Sequence, residues 1–235
     1  MSSREPIHLR PATELAERVL LPGDPHRALA VAQAILAEPL MFNHARGLWG
    51  YTGRARDGAP LSVQSTGMGG PSAAIVIEEL IGLGAQTLIR IGTCGAVVPG
   101  IGLGELVAAE AVLCADGTSA ALGAEERLEA DTGLTAALVA AGARAVTAIS
   151  TDLFYDPRPA PAWAETAAEV VELEAATLLA LARRHGVAAA VLLAVTDELG
   201  DERRRVERDQ LEQLGVRLGE LAWSALAGQS IRREG

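Results

Sequence analysis

Arg90 closes an apolar run, LIRI at residues 88–91, and is followed at once by Gly92, Thr93, Cys94 and Gly95. An arginine is rarely buried without a partner. The small residues after it let a backbone turn and present its N–H groups, and with the threonine hydroxyl they make a phosphate-sized cradle. The competing account is a structural ion pair with a carboxylate such as Glu78 or Glu79. A second cation lies in VLLPGDPHRA, residues 19–28, where a strand runs into Gly23 and Pro25 opens a helix. Arg27 falls in the first turn of that helix, where a cation opposes the macrodipole unless an anion lies between. A plain strand-to-helix turn capped by Asp24 is the alternative there. The GxxxxGK spacing of a P-loop is absent.

Acidic groups recur at other strand ends. In VVELEAATLLALA, residues 170–182, Glu172 and Glu174 stand where a strand meets an alanine- and leucine-rich helix. Carboxylates so placed can accept two sugar hydroxyls or cap the helix. In LLAVTDELGD, residues 192–201, Thr196 and Asp197 end the most apolar strand of the chain. Apolar surroundings disfavour a charged carboxyl and raise its pKa, which suits a general acid; a helix-start aspartate is the plainer account. Phe154 and Tyr155 sit together in ISTDLFYDP, in a chain with two phenylalanines and two tyrosines. They can stack on a flat base or fill a core. Cys94 has no histidine near it in sequence and reads as a small apolar filler rather than a nucleophile. GIGLGE, at 100–105, imitates a nucleotide fingerprint but precedes a strand instead of a helix, so that reading fails.

The elements that must position these groups alternate between strand and helix patterns, the mark of an α/β fold with a parallel or mixed sheet. The pattern predicts strands at 18–21, 61–66, 86–91, 105–113, 144–150 and 188–195. It predicts helices at 25–36, 71–83, 131–141, 174–185 and 202–228, with Pro71 at a first helical position and DERRRVERDQLEQ as a solvated face. The stretch 115–130 reads as a loop. Each candidate group therefore follows a strand, where ligands bind in open α/β sheets. With no repeat or linker in view, one domain over residues 1–235 is the simplest account.

The charge of −10 argues against a polyanion such as DNA or RNA as ligand, so any anion is expected to be small and held locally. No apolar run approaches the ~20 residues of a membrane span. MSSREPIHLRPATELAERV carries no apolar core of a signal peptide, and Cys94 and Cys114 form neither a disulfide framework nor a metal-spaced set. The cytosol is the expected compartment.

The blocks AERVLLPGDPHRA, NHARGLWGYTG, STGMGGPSAAIVIEEL, RIGTCGAV, STDLFY and VELEAATLLALA, in this order, resemble those of the hexameric nucleoside phosphorylases. That family includes purine nucleoside, uridine and methylthioadenosine phosphorylases. The resemblance covers almost the whole chain and implies one α/β domain around a mixed, partly barrel-like sheet, with sites shared between subunits of a homohexamer built from dimers. It implies phosphate binding by Gly23, Arg27, Arg90 and Thr93, with Arg46 completing the site of the adjacent subunit. Met68, Glu172, Leu173 and Glu174 would face the ribose, with Glu174 on its hydroxyls and His8 reaching a neighbour's ribose. Cys94, Gly95, Phe154, Val171, Thr196 and Asp197 would surround the base. Arg90 and Asp197 are the implied catalytic pair, inorganic phosphate the co-substrate, and no metal or organic cofactor is needed. Leu173 stands where the family has methionine, and Thr196–Asp197 replaces a Ser-Asp pair. The family's arginine partner for the acid lies on the last helix, where Arg203, Arg204, Arg205 and Arg208 all qualify. DPRPAPAWAETAAE lacks the Gln-x-Arg pair with which uridine phosphorylases read a pyrimidine, although ADGTS at 115–119 is similar to theirs. A purine nucleoside is the favoured substrate, with uridine or methylthioadenosine as alternatives. A hydrolytic nucleosidase would have no use for the arginines, and a nucleoside-binding protein none for Asp197 beside them.

Overall fold

The computed structural model describes residues 5–157, 161, 163–199 and 203–233. The first half of the chain forms β1 (Arg18–Leu21), α1 (Pro25–Ile35), β2 (Leu36–Asn43), β3 (Gly50–Ala55), β4 (Pro60–Gln64), α2 (Gly70–Gly82) and β5 (Thr87–Ala96). The second forms β6 (Leu106–Ala115), α3 (Gly117–Ala121), β7 (Arg127–Glu129), α4 (Thr132–Ala140), β8 (Arg144–Thr151), β9 (Val170–Glu172), α5 (Ala175–His185), β10 (Ala188–Leu199), β11 (Arg203–Arg205) and α6 (Arg208–Arg233). A 3-10 turn, Ala45–Gly47, joins β2 to β3.

All strands belong to one mixed sheet, in the order β11-β10-β6-β8-β9-β5-β1-β4-β3-β2, with β7 beside β6. Because β10 also pairs with β5, five of them (β10, β6, β8, β9 and β5) close into a ring. Side-chain alternation divides the core in two. Leu88, Cys94, Val191, Leu193 and Val195 face α2 and α5, while Ile89, Ile91, Ala190, Leu192 and Ala194 face α1, α4 and α6. Arg90 lies on the first of these faces by its place between Leu88 and Cys94.

Three expectations need correction. The GTCG segment is not a turn. β5 continues to Ala96, and Gly92, Thr93 and Cys94 are in register with Leu193, Ala194 and Val195 of β10. β1 pairs with β5 only as far as Arg90 and β9 only from Gly95, so the other edge of residues 91–94 has no partner strand among the described residues. The last helix begins at Arg208 rather than at 202. Arg203–Arg205 instead form β11, antiparallel to β10, pairing Asp197 with Arg205 and Leu199 with Arg203; Glu202 lies outside the described residues. The segment 115–130, expected as loop, holds α3 and β7, and β2, β3 and β9 had no sequence signal.

Candidate active site

A cavity of 740 Å³ opens at the strand ends where β5, β9 and β10 meet. It is lined by every site residue inferred from the sequence except His8 and Arg46. Five residue steps of β5 separate Arg90 from Gly95, the register partner of Asp197. At about 3.3 Å per step, the cavity floor runs about 16 Å from an arginine end to an aspartate end.

At the first end Arg27 and Arg90 stand near each other but differ in state. Arg90 is buried and doubly paired: its Nε donates to Glu172 Oε2 at 2.9 Å and its Nη2 to Glu174. Burial alone would pull its pKa down; Glu174 and Glu172 together hold it above the ordinary value. The ion-pair account of Arg90 is thus realised, with the two expected ribose carboxylates and not with Glu78 or Glu79. Those pair with His185 and His8 respectively. Gly92 makes the arrangement possible, since a Cβ there would lie 2.8 Å from Arg90 Nη2.

Arg27 is the other case. Asp24 caps α1 by accepting from the Arg27 backbone N–H at 2.8 Å, so the plain capping account also holds. Yet the Arg27 guanidinium makes no hydrogen bond or ion pair with any described residue. Burial, with a smaller contribution from the Arg90 charge, holds its pKa below the ordinary value. A partly desolvated cation with no carboxylate on it is an anion site by charge.

The two glutamates divide their work. Both oxygens of Glu172 are committed: they accept from Arg90, from Ser150 Oγ, and from the backbone N–H groups of Glu174 and Ala175. It caps α5 and orients Arg90. Glu174 sits at the N-cap position without capping; it accepts from Gly69 N–H at 2.6 Å and from Arg90. Burial pushes its carboxyl pKa up and nearby Glu172 adds to this, against the pull of Arg90. Met68, 86 % exposed, stands beside it at the mouth.

At the far end, β10 has a register shift between Val195 and Asp197: Val195 opposes Cys94 and Asp197 opposes Gly95. Such a bulge re-aims a side chain next to a site. Asp197 is buried, but its surroundings are polar and not apolar as expected. Thr196 Oγ1 donates to its Oδ2 at 3.0 Å, Arg203 Nε to its Oδ1 at 2.9 Å, and Arg205 Nε lies 2.7 Å from the same oxygen. Its arginine partners therefore lie on β11, not on the last helix. Arg204 points the other way, to Glu198 at 3.2 Å. The Arg203 guanidinium also covers the Phe154 ring at 4.7 Å, and Phe154 meets Tyr155 edge-on at 4.9 Å. Val171 and Leu173 line the same cavity, as does Cys94, whose thiol pKa burial pushes far up, so it is no nucleophile.

The model of the phosphorylase superfamily matches residues 17–227. The chain belongs to that superfamily. A DeoD-type purine nucleoside phosphorylase of Geobacillus kaustophilus (strain HTA426) is 35% identical over 215 residues, 86% of this chain and 91% of that protein. A protein of the same name from Caldanaerobacter subterraneus subsp. tengcongensis is 38% identical over 201 residues, 79% and 84% of the two chains.

In this phosphorylase the two inferred residues outside the cavity lie on one chain's surface. His8 is held by Glu79, which accepts from its ring Nδ1 at 2.7 Å and from the backbone N–H groups of Ile7, His8 and Leu9. Arg46 is exposed in the 3-10 turn at φ 58, in the left-handed region. Lining residues that the sequence reading passed over include Thr151, Trp163, Leu199 and Leu211. Thr151 ends β8 beside the quoted aromatic pair and could have been found there. Leu211 comes from α6, a helix on which the sequence singled out arginines alone. Among the described residues no group of three or more His, Cys, Asp or Glu could hold a metal ion.

Proposed function

We propose that this chain is a purine nucleoside phosphorylase, converting a purine ribo- or deoxyribonucleoside and inorganic phosphate to free base and pentose 1-phosphate. The unpartnered guanidinium of Arg27 beside Arg90 carries this reading, because a hydrolase needs no anion site next to the sugar carboxylate Glu174. The DeoD-type relatives support the purine as base.

Phosphate docks on Arg27, Arg90 and Thr93, with Arg46 from an adjacent subunit, and Glu174 holds the ribose hydroxyls. A phosphate oxygen attacks C1′ as the bond from C1′ to the base breaks and its electron pair passes to the purine. Fixing the dianion there supplies both proximity and charge for the cationic sugar. Asp197 takes up a proton from solvent and passes it to the purine ring, a step worth ~10²–10⁴-fold for a positioned acid. Arg203 and Arg205 then face the carboxylate left behind. Phe154 and Val171 flank the base. No cofactor enters the scheme. The working form is a homohexamer of dimers in the cytoplasm, with His8 and Arg46 crossing between subunits.

Base release from inosine, adenosine, guanosine, methylthioadenosine and uridine, measured with and without phosphate or arsenate, tests this reading. Release from a purine nucleoside that depends on the anion supports it. Equal release in anion-free buffer would identify a nucleosidase, and uridine as best substrate would overturn the choice of base.

A further inference from the structure

Arg27 lies in the first turn of α1, one turn before Val31, and both face α6. The residues of α6 that meet them are glycines one turn apart, Gly215 and Gly219, both buried. A Cβ added at Gly215 would lie 3.0 Å from Arg27 Cγ, 3.4 Å from Cδ and 3.6 Å from Nε. One added at Gly219 would lie 2.5 Å from Val31 Cγ1. The two contacts have different consequences. Val31 is core, wholly buried among Ala28, Ala32 and Leu218. Arg27 is the cavity's cation without a carboxylate, and nothing but its own stem directs the guanidinium, since Asp24 holds only its backbone.

We infer that Gly215 is a positioning residue for anion binding. By presenting bare backbone, it lets the Arg27 stem lie flat against α6 and so delivers the guanidinium beside Arg90. The contact involves Cγ, close to the α1 backbone, so a methyl at residue 215 cannot be evaded by swinging the side-chain tip alone. The stem must tilt, and the guanidinium moves with it. The inference deepens the phosphorolysis reading and rests on it for the identity of the anion, inorganic phosphate.

The test is calorimetric titration of inorganic phosphate into the intact enzyme, with steady-state kinetics alongside. Gly215→Ala should weaken phosphate binding and raise its KM about tenfold, the loss expected when one charged hydrogen bond is misplaced. The KM for nucleoside should change little. Gly219→Ala should lower the thermal midpoint yet leave phosphate affinity unchanged. In an Arg27→Ala background, Gly215→Ala should cost no further phosphate affinity, and Arg27→Ala should restore any thermal stability that Gly215→Ala removes, including folding itself. Unchanged phosphate affinity in Gly215→Ala overturns the inference. So does a loss that persists in the Arg27→Ala background, or a uniform fall in kcat with both KM values intact. Wild-type enzyme that binds phosphate through Arg27 but does not use it in base release would sink the phosphorolysis reading and leave this one standing.

Discussion

From the sequence, Arg90 inside a strand and Arg27 after one both look like cations placed to hold an anion. Their surroundings make them opposite kinds of residue. Arg90 compensates Glu172 and Glu174, whose side chains are 0 % and 6 % exposed. Replacing it by alanine leaves two carboxylates buried without their cation, at a cost of about 3–5 kcal/mol. In a chain of this size that lowers the thermal midpoint by roughly 10 °C. Lost activity in Arg90→Ala therefore mixes folding with chemistry. Arg27→Ala removes a guanidinium with no hydrogen-bond or ion-pair partner among the described residues, so it should melt within a few degrees of wild type while phosphate KM rises at least tenfold. Calorimetric melting and phosphate titration of the two variants separate these cases; equal destabilisation would show that Arg27 is also a structural cation.

Between residues and molecule stand β10 and β11, which set the acid end of the cavity. Arg203 and Arg205 share Oδ1 of Asp197, and Arg203 alone also covers Phe154. Arg205→Ala should therefore reduce kcat with little change in nucleoside KM, whereas Arg203→Ala should change both. Identical profiles for the two variants would refute that division. The core strand β1 and the apolar parts of β5, β8 and β10 were legible because buried apolar runs announce themselves. The polar continuations of β5 and β10 were not, because they are fixed by pairing with each other across about a hundred residues and, for β10, with the unpatterned β11. RRR at 203–205 carries no period at all: three identical side chains hide that two point inward and one outward. β2 was hidden for another reason. It contains Pro39 and ends the sheet, and an edge is where a strand tolerates proline. The candidate site was readable to the extent that it is built from strand ends. The bulge at Thr196 and the division of labour between Glu172 and Glu174 are tertiary facts.

At the scale of the whole molecule, one chain supplies a cavity without His8 or Arg46, and both are displayed elsewhere on its surface. If Arg46 serves an adjacent subunit, an Arg46→Ala chain mixed with an Arg27→Ala chain should regain activity that neither has alone. In a two-fold pair one site then inherits both defects and the other neither. No recovery in confirmed mixed dimers would confine the site to one chain. The ring closure has a consequence of a different kind, in time. Thr87 of β5 is paired with Ala188 of β10, about a hundred residues later. At a synthesis rate of about 5–20 residues per second, β5 waits on the order of 5–20 s for that neighbour. Meanwhile β1 to β5 can already assemble in the order β5-β1-β4-β3-β2, leaving β5 as a bare edge. Sheet edges recruit other chains unless an inward-pointing charge forbids the match. Arg90 is a charge on that edge, and its partners Glu172 and Glu174 are made about eighty residues later, so until then it is the kind of residue that disfavours pairing with another chain.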